Sequence, residues 1–253
     1  RRTMEVPAFV APVSDSGESD KQGAGFGVQM SDSPESDTQG RDSEGCSRRP
    51  GEERQHLQAA GSQYGWMADS RPETMIRDAK ESALHLGVDT LDLLYSHGPD
   101  PAVPYEDQCG ALKQLLDEGV IKYAGISRVN NEQIDLARGI IGSGLVAVQN
   151  QFSPSHPDPE HTMEHCAELG LAFVCWSPLG GFLDTFDQSA YDPFRTVAAQ
   201  RGCSYQRVVL AWELTRYERL FTIPSARNPQ EINDSFAATQ LQLTQEELAM
   251  LPC

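Results

Sequence analysis

The sequence predicts an α/β fold in which parallel strands alternate with helices. Beyond Tyr64, short apolar runs are separated by amphipathic helical patterns. Parallel strands need long crossovers, and helices packed on the sheet make such strands continuously apolar. This pattern suits either a doubly wound sheet or a (β/α)8 barrel. The predicted strands are Leu91–Tyr95, Tyr123–Ile126, Leu145–Gln149, Ala172–Trp176 and Leu220–Ile223.

The helices are predicted from apolar spacing and from residues that begin or end a helix. Ser70-Arg-Pro-Glu73 has the pattern of a capping box for the first helix, which Gly87 ends. Pro104 begins the second helix and Gly119 ends it. The apolar stripe of the first helix is predicted to be Ile76, Ala79, Ala83 and Leu84. Further helical patterns cover Glu132–Ile141, Glu160–Leu169, Pro193–Gln200, Tyr205–Leu214 and Pro229–Ala238, and Thr244 begins a last short helix.

Polar residues follow several predicted strands at their carboxyl ends. They are His97, Ser127 with Arg128, Gln149 with Asn150, and Ser177. Barrels collect their functional groups at the carboxyl ends of strands, so this arrangement favours the barrel. No G-x-G-x-x-G follows any strand, and a Rossmann dinucleotide site therefore has no support.

Residues 1–63 differ in composition from the rest of the chain. Ser, Asp, Glu, Gly, Gln and Arg dominate, and apolar residues occur only in short clusters such as Val6–Val10. Such a segment cannot bury enough apolar surface to offset the entropy lost on ordering it. We therefore predict a disordered, low-complexity segment over residues 1–63 and a partial barrel over residues 64–253.

Charge and cysteine usage exclude several classes of partner. The formal net charge of −17 argues against binding nucleic acid and against an anionic membrane surface. No apolar run is long enough for a membrane span or a signal peptide. The cysteines are scattered without a C-x-x-C pair, which indicates a reduced, cytoplasmic protein. Cys109, Cys166 and Cys175 lie in apolar segments and are expected in the core. The sequence does not indicate the oligomeric state.

One pair of histidines has a spacing that could bind a metal ion. His161 and His165 lie one helical turn apart, but the H-E-x-x-H order and a third ligand are lacking. We expect a solvated helix face and no metal site.

Five segments occur in an order that carries a family resemblance. They are Leu86–His97, Gly110–Gly119 with Tyr123–Ser127, Ala147–Asn150, Ala172–Gly180 and Thr222–Arg227. In this order they resemble strands 4–8 of the aldo-keto reductases, whose fold is a (β/α)8 TIM barrel. The resemblance implies an NADPH-dependent oxidoreductase that reduces small aldehydes or ketones to alcohols.

The resemblance also implies roles around the nicotinamide. By resemblance His97 orients and polarises the substrate carbonyl. Ser127 and Gln149 match the pair that hydrogen-bonds the nicotinamide carboxamide. The resemblance also places Arg128 in the cofactor site, where the family usually has Asn. Trp176 matches the aromatic ring that stacks on the nicotinamide.

Two loops match those that hold the pyrophosphate and adenosine in the family. Arginine can bond phosphate oxygens in pairs, so Arg227 favours the 2′-phosphate of NADPH over NADH. Asp234-Ser235 replaces a common Glu-Asn and weakens the adenine contact. The matching loop residues are Ser177, Leu179, Gly180, Ser225 and Arg227.

The family's proton donor has no recognisable counterpart here. In the family it is a tyrosine supported by a lysine and an aspartate from the first three strands. Upstream of His97 the lysines are Lys21 and Lys80 and the tyrosines are Tyr64 and Tyr95, and none has a fitting context. Three explanations stay open: a truncated or frame-shifted gene product, which we favour, an inactive pseudoenzyme that binds nucleotide or protein, or a reductase with an unrecognised acid.

Overall fold

The computed structural model describes Val28–Gln29 and residues 69–158, 160–181 and 187–252. Within these residues helices alternate with the strands of one sheet. The elements are β1 (Val28–Gln29), α1 (Pro72–Leu86), β2 (Leu91–Ser96), α2 (Tyr105–Asp117), β3 (Ile121–Ser127), α3 (Asn131–Ile141), β4 (Leu145–Gln151), α4 (Thr162–Glu168), β5 (Ala172–Trp176), α5 (Asp192–Arg201), α6 (Tyr205–Leu214), β6 (Leu220–Thr222), α7 (Pro229–Ala237) and α8 (Gln245–Met250).

The strand order settles the choice between the two α/β architectures. The strands follow one another in chain order from β1 to β6, and every neighbouring pair is parallel. A doubly wound sheet reverses its order at a switch point, whereas a barrel adds each strand beside the last. The described strands are therefore an arc of a TIM-barrel-type fold, as predicted, and β2 to β6 are the five predicted strands.

Strand β1 was not predicted. Val28 and Gln29 pair in parallel with Leu94 and Tyr95 of β2. Apart from these two residues, the segment 1–63, for which we predicted disorder, lies outside the described residues.

Helices cover one face of the sheet and form the main core with it. On β5, Phe173 and Cys175 are fully buried in the same cluster as Leu112 of α2, Ile134 of α3 and Val208 of α6. Burying each large apolar side chain contributes about 1.5–3 kcal/mol. This face therefore supplies most of the stabilising burial.

The predicted core cysteines lie on this helix-covered side. Cys109 is 1% exposed, and Cys166 and Cys175 are 0% exposed. Burial raises the pKa of each thiol, to about 11 for Cys109 and about 12 for Cys166. All three act as small apolar residues, as predicted.

The opposite face of the sheet carries a second, smaller cluster. Val174 of β5 packs there with Tyr95 and Ala147. A Cβ built on Gly125 would lie 2.3 Å from the Tyr95 ring, so this strand position needs glycine for the ring to approach. In a barrel this face is the closely packed interior.

Two large side chains on this opposite face are exposed. Tyr123 pairs in register with Leu93, a neighbour of that cluster, and Phe221 pairs with Val174. Tyr123 is 49% exposed and Phe221 is 38% exposed. Within the described part of the chain, the interior face of the arc is thus partly open to solvent, beside its buried cluster.

The start of α1 corrects a prediction. The N-cap residue is Arg71 with φ −61° and ψ 135°, and no side chain caps the helix, so Ser70 and Glu73 form no capping box. A residue before proline is driven out of the helical region, so the helix begins at Pro72 itself. The Ser70 backbone N–H instead donates to Asp100 Oδ2 at 3.2 Å.

The buried stripe of α1 is also shifted from the prediction. Met75 is 1% exposed and lies in one row with Ala79 and Ala83, whereas Leu84 is 76% exposed. The row follows an i, i+4, i+8 spacing, which places Leu84 on the solvent side. At the other end of the chain, Thr244 forms the predicted capping box for α8. No helix among the described residues has the length and apolar character needed to cross a membrane.

Candidate active site

The carboxyl ends of neighbouring strands bring the predicted site residues to one edge of the sheet. Ser127 at the end of β3 is in register with Gln149 of β4, and Gln151 of β4 is in register with Trp176 of β5. His97 directly follows β2 and is half-buried. Residues distant in sequence therefore surround one region at the edge where barrels place their sites.

Ser127 and Gln149 are adjacent and buried, at 1% and 6% exposure. The Ser127 hydroxyl donates to the Gln149 backbone carbonyl at 2.7 Å. Because its proton is used in this bond, the hydroxyl can meet a ligand only as an acceptor. The Gln149 side-chain amide forms no hydrogen bond with any residue described by the structure, which leaves its donor and acceptor for a ligand.

Arg128 adopts an unusual position at this edge. Its φ of 57° is in the left-handed region, and its guanidinium carbon lies 5.4 Å from the centroid of the Trp176 ring. Partial desolvation lowers the pKa of the guanidinium, although the side chain as a whole is exposed. A Cβ built on Gly98 would lie 3.4 Å from Arg128 Cδ, so the side chain also passes the loop that follows His97.

Asn150 fixes the loop that carries Arg128. Its Oδ1 accepts from the Val129 N–H at 3.1 Å, and its Nδ2 donates to the Val129 carbonyl at 2.7 Å. The Arg128 N–H donates to the Gln149 carbonyl at 3.1 Å. Sequence reasoning noted Asn150 only as a polar strand end and missed this positioning role. Its place one residue after Gln149, at the same edge as the β3 loop, was the available signal.

The two predicted cofactor loops leave adjacent strands. Cys175 of β5 is in register with Thr222 of β6, so both loops start at the same edge. The first forms a tight turn in which the Gly180 N–H donates to the Ser177 carbonyl at 2.8 Å, with φ of 53° at Ser177 and 70° at Gly180. Leu179 packs partly buried against the core, which anchors the turn.

The second loop presents Ser225 and Arg227 to solvent. The Arg227 guanidinium donates to Glu231 Oε1 at 2.8 Å, and its side chain remains 90% exposed. The hydrogen-bonded ion pair lowers the pKa of Glu231 and raises the pKa of Arg227. Exposed ion pairs of this kind are weak, so Arg227 can exchange its partner for a phosphate.

Asp234, which replaces the family's glutamate near the adenine, is occupied within the protein. Its Oδ1 accepts from Arg207 Nε at 3.0 Å, and its Oδ2 accepts from the Ser204 hydroxyl. These contacts link α7 to the start of α6.

The candidate upstream acid and lysine are far from suited to proton transfer. Burial raises the pKa of Tyr95 well above its usual value, which makes the phenol a weaker acid. Lys80 lies on α1, half-exposed, and its Nζ contacts Glu118 at 2.8 Å. Tyr64 lies outside the described residues.

The two histidines of the dismissed metal motif occupy different settings. His161 is the N-cap residue of α4 with φ 55°, while His165 Nε2 lies 2.8 Å from Asp135 Oδ1 of α3. Among the described residues, no group of three or more His, Cys, Asp or Glu side chains could hold a metal ion.

Fold and site together define the class: a TIM-barrel-type α/β protein with a polar site at the carboxyl ends of its strands. The sequence profile of the Aldo/keto reductase family matches residues 55–252, and the chain belongs to that family. The match begins before residue 64, where we predicted that the barrel part starts.

Curated relatives agree with this assignment. The chain is 28% identical over 198 residues to pyridoxine 4-dehydrogenase of Escherichia coli (strain K12), covering 76% of this chain and 67% of that protein. It is 27% identical over 209 residues to the aldo-keto reductase str7 of Strobilurus tenacellus, covering 70% and 62%. The chain thus spans about two thirds or less of these relatives.

Solved structures show the same fold. Aldose reductase from Giardia lamblia superposes with a TM-score of 0.64 at 25% identity, covering 73% of this chain and 68% of that one. The aldo-keto reductase of Bombyx mori, solved in complex with NADP, gives a TM-score of 0.61 at 24% identity, covering 73% and 64%.

Proposed function

We propose that the chain is an aldo-keto reductase-type oxidoreductase that binds NADPH and a small carbonyl substrate but turns over slowly. The observation that carries the proposal is the convergence of four features at one edge: His97, the Ser127–Gln149 pair, Trp176, and the two loops after β5 and β6. The relative from Bombyx mori was solved with NADP, which supports the choice of cofactor.

The residues present fit the nicotinamide end of such a cofactor. A carboxamide offers donors and an acceptor, which match the Ser127 oxygen and the available Gln149 amide. Trp176 supplies an aromatic plane for the ring, on the indole face that the Arg128 guanidinium does not cover. When bound, the cofactor would supply the hydride. The side chains of Ser127, Gln149 and Trp176 would hold and orient the nicotinamide.

The phosphate end fits the two loops. The turn at Ser177–Gly180 lies at the strand edge, and Arg227 offers a charged fork for the 2′-phosphate. Arg227 is exposed and only weakly engaged by Glu231. We therefore infer a preference for NADPH over NADH.

His97 completes the carbonyl site. An imidazole N–H that donates to the substrate oxygen would orient and polarise the carbonyl group. Among the residues that the structure describes, the protonation of the developing alkoxide has no recognised donor, because the Tyr95 phenol is a weakened acid and Lys80 pairs with Glu118. General acid catalysis contributes about a hundred- to ten-thousand-fold, or about 3–5 kcal/mol of barrier. We infer residual turnover.

The lack of a recognised acid also favours a second function, that of a nucleotide-binding pseudoenzyme. In that case NADPH would bind as above, and His97 would have no effect on any reaction. We also propose a cytoplasmic location, on the ground of the scattered cysteines, and no nucleic-acid partner, on the ground of the net charge of −17.

A nucleotide titration tests the proposal. We expect NADPH to bind saturably, and Gln149→Leu to weaken NADPH and NADH by about tenfold each, the loss of one or two hydrogen bonds in a buried site. The matched control is Gln114→Leu, whose exposed amide on α2 donates to Glu118. An unsaturable response of the unmodified chain would contradict both candidate functions.

A further inference from the structure

We propose that Arg128 is the receptor for the carboxylate of an anionic carbonyl substrate, which lies in the cleft beside Trp176. The inference rests on the proposed function only in calling this ligand a substrate. It concerns a residue that departs from the family's usual Asn, and it gives the site a substrate class.

The cleft is a built feature of the carboxyl edge. It has a volume of about 440 Å³ and lies where the loops after β3 and β4 meet the starts of α3 and α4. Trp176 and Phe173 are among the residues that line it. The polar lining includes Arg128, Asn130, Asn150 and His156. A small organic molecule with one flat apolar part suits these walls.

Arg128 lines this cleft, and its guanidinium N–H groups are available to a ligand. Its guanidinium donates no hydrogen bond and forms no ion pair with the residues that the structure describes. Arg201 and Arg207, by contrast, are each paired with a carboxylate, on Glu247 and Asp234. The indole of Trp176 holds the guanidinium by its face, which leaves the N–H groups at the edge for a ligand.

The local backbone holds this side chain in place. A left-handed φ of 57° is costly for a residue with a Cβ, and such strain persists only where the surroundings determine it. Val129, which follows Arg128, is held by Asn150. The Asn150 side-chain amide accepts from the Val129 N–H and donates to the Val129 carbonyl. The Arg128 side chain therefore lies between Trp176 and Gly98, beside the loop that begins at His97.

The acidic residues of the cleft select the type of anion. Asp158 and Glu160 also line it and would repel a multiply charged group. Both Asp158 oxygens accept backbone N–H groups at the start of α4, from Thr162 at 3.0 Å and Met163 at 2.8 Å. Glu160 is exposed. A single carboxylate matches the planar guanidinium in two parallel hydrogen bonds, whereas a phosphate dianion meets more repulsion.

Calorimetric or NMR titration of the full chain without nucleotide tests the assignment, with benzoate as the anion and benzamide as its neutral counterpart. We expect benzoate to bind at least about tenfold more tightly than benzamide and than inorganic phosphate. Arg128→Gln should remove that advantage and leave benzamide unchanged. Arg77→Gln, an exposed arginine on α1, is the matched control. Thermal melting establishes that each variant folds, and Arg128→Lys, which keeps the charge but not the fork, should retain part of the advantage.

Several results would overturn the proposal. Equal binding of benzoate and benzamide removes the anion site, and benzoate binding that is unchanged in Arg128→Gln moves it elsewhere. Phosphate binding as tight as benzoate contradicts the carboxylate. If Arg128→Gln weakens NADPH but not benzoate, Arg128 belongs to the cofactor site. Failure of NADPH to bind, with benzoate retained, would contradict the proposed function alone.

Discussion

Arg227 is held by Glu231, four residues further along the chain. Its guanidinium donates to Glu231 Oε1 at 2.8 Å, and its backbone N–H donates to Oε2 at 2.8 Å. The Glu231 carboxylate therefore occupies the Arg227 guanidinium, which the proposed function assigns to binding the 2′-phosphate of NADPH. Any phosphate bound there has to replace this partner, and this competition makes the assignment measurable.

Arg227→Ala should weaken NADPH binding by about tenfold and leave NADH binding nearly unchanged, because only NADPH carries the 2′-phosphate. A fluorescence titration with both nucleotides measures the difference. Arg77→Ala removes the same charge from a distant exposed site and is the control. Equal losses for the two nucleotides would contradict the phosphate assignment.

Glu231→Gln should have the opposite effect and tighten NADPH binding. The Glu231 carboxylate is ionised at neutral pH and repels a phosphate, and the ion pair with Arg227 lowers its pKa further. The change releases the Arg227 guanidinium and removes that repulsion, with little effect on NADH. The same titration measures it, and weaker NADPH binding in this variant would show that Glu231 positions Arg227 instead of competing for it.

Glu213 on α6 is a buried carboxyl group whose cost should be visible in stability. It is 0% exposed, and neither of its oxygens has a hydrogen-bond partner in the part of the chain that the structure describes. Burial raises its pKa well above the usual value. An unsatisfied buried group of this kind costs about 1–3 kcal/mol. Glu213→Leu should therefore raise the free energy of unfolding, as measured by urea denaturation.

The titration of Glu213 also gives the sign of a pH effect. Because the folded state holds the proton to higher pH than the unfolded state, stability is fully present below the unfolded pKa and falls as pH rises toward the raised folded pKa. The slope is at most about 1.4 kcal/mol per pH unit. Glu213→Gln keeps the size and polarity without the titration, so its stability should not show this fall. Parallel pH profiles for the two proteins would contradict the assignment.

We propose that residues 1–63, apart from Val28–Gln29, which pair with β2, form a polar segment separate from the barrel domain of residues 64–253. The motive is the Ser-, Asp- and Gly-rich composition of the segment, which offers little apolar surface to bury. Limited proteolysis should remove this segment quickly and leave residues from Leu91 to Leu251 intact. Equal protection of both parts would contradict the division.

Elements with strong local signals were predicted well. The bounds of β5 and α6 are those expected from apolar runs and helical spacing, and the Thr244 capping box is present. The start of α1 was misplaced because the restriction that Pro72 imposes on Arg71 outweighs the Ser-x-x-Glu pattern. The two-residue strand β1 was missed because so short a pairing leaves no periodic pattern to read.

The sequence predicted which residues lie at the candidate site better than it predicted the contacts between them. Parallel-strand logic places Ser127, Gln149 and Trp176 at one edge, as the register shows. The stacking of Arg128 on Trp176 depends on a left-handed backbone and on the Asn150 clamp, which are tertiary features. The isolation of Glu213 was equally hidden, because an acidic residue in a helix is normally solvated.

The rate of carbonyl reduction tests the central claim most directly. NADPH oxidation should be followed with a panel of reactive aldehydes for the purified chain and for His97→Ala. Without a recognised acid, we expect turnover at least about a hundredfold below an ordinary enzyme rate of about ten per second. Turnover near that ordinary rate, abolished by His97→Ala, would contradict the account, because it would require an efficient proton donor.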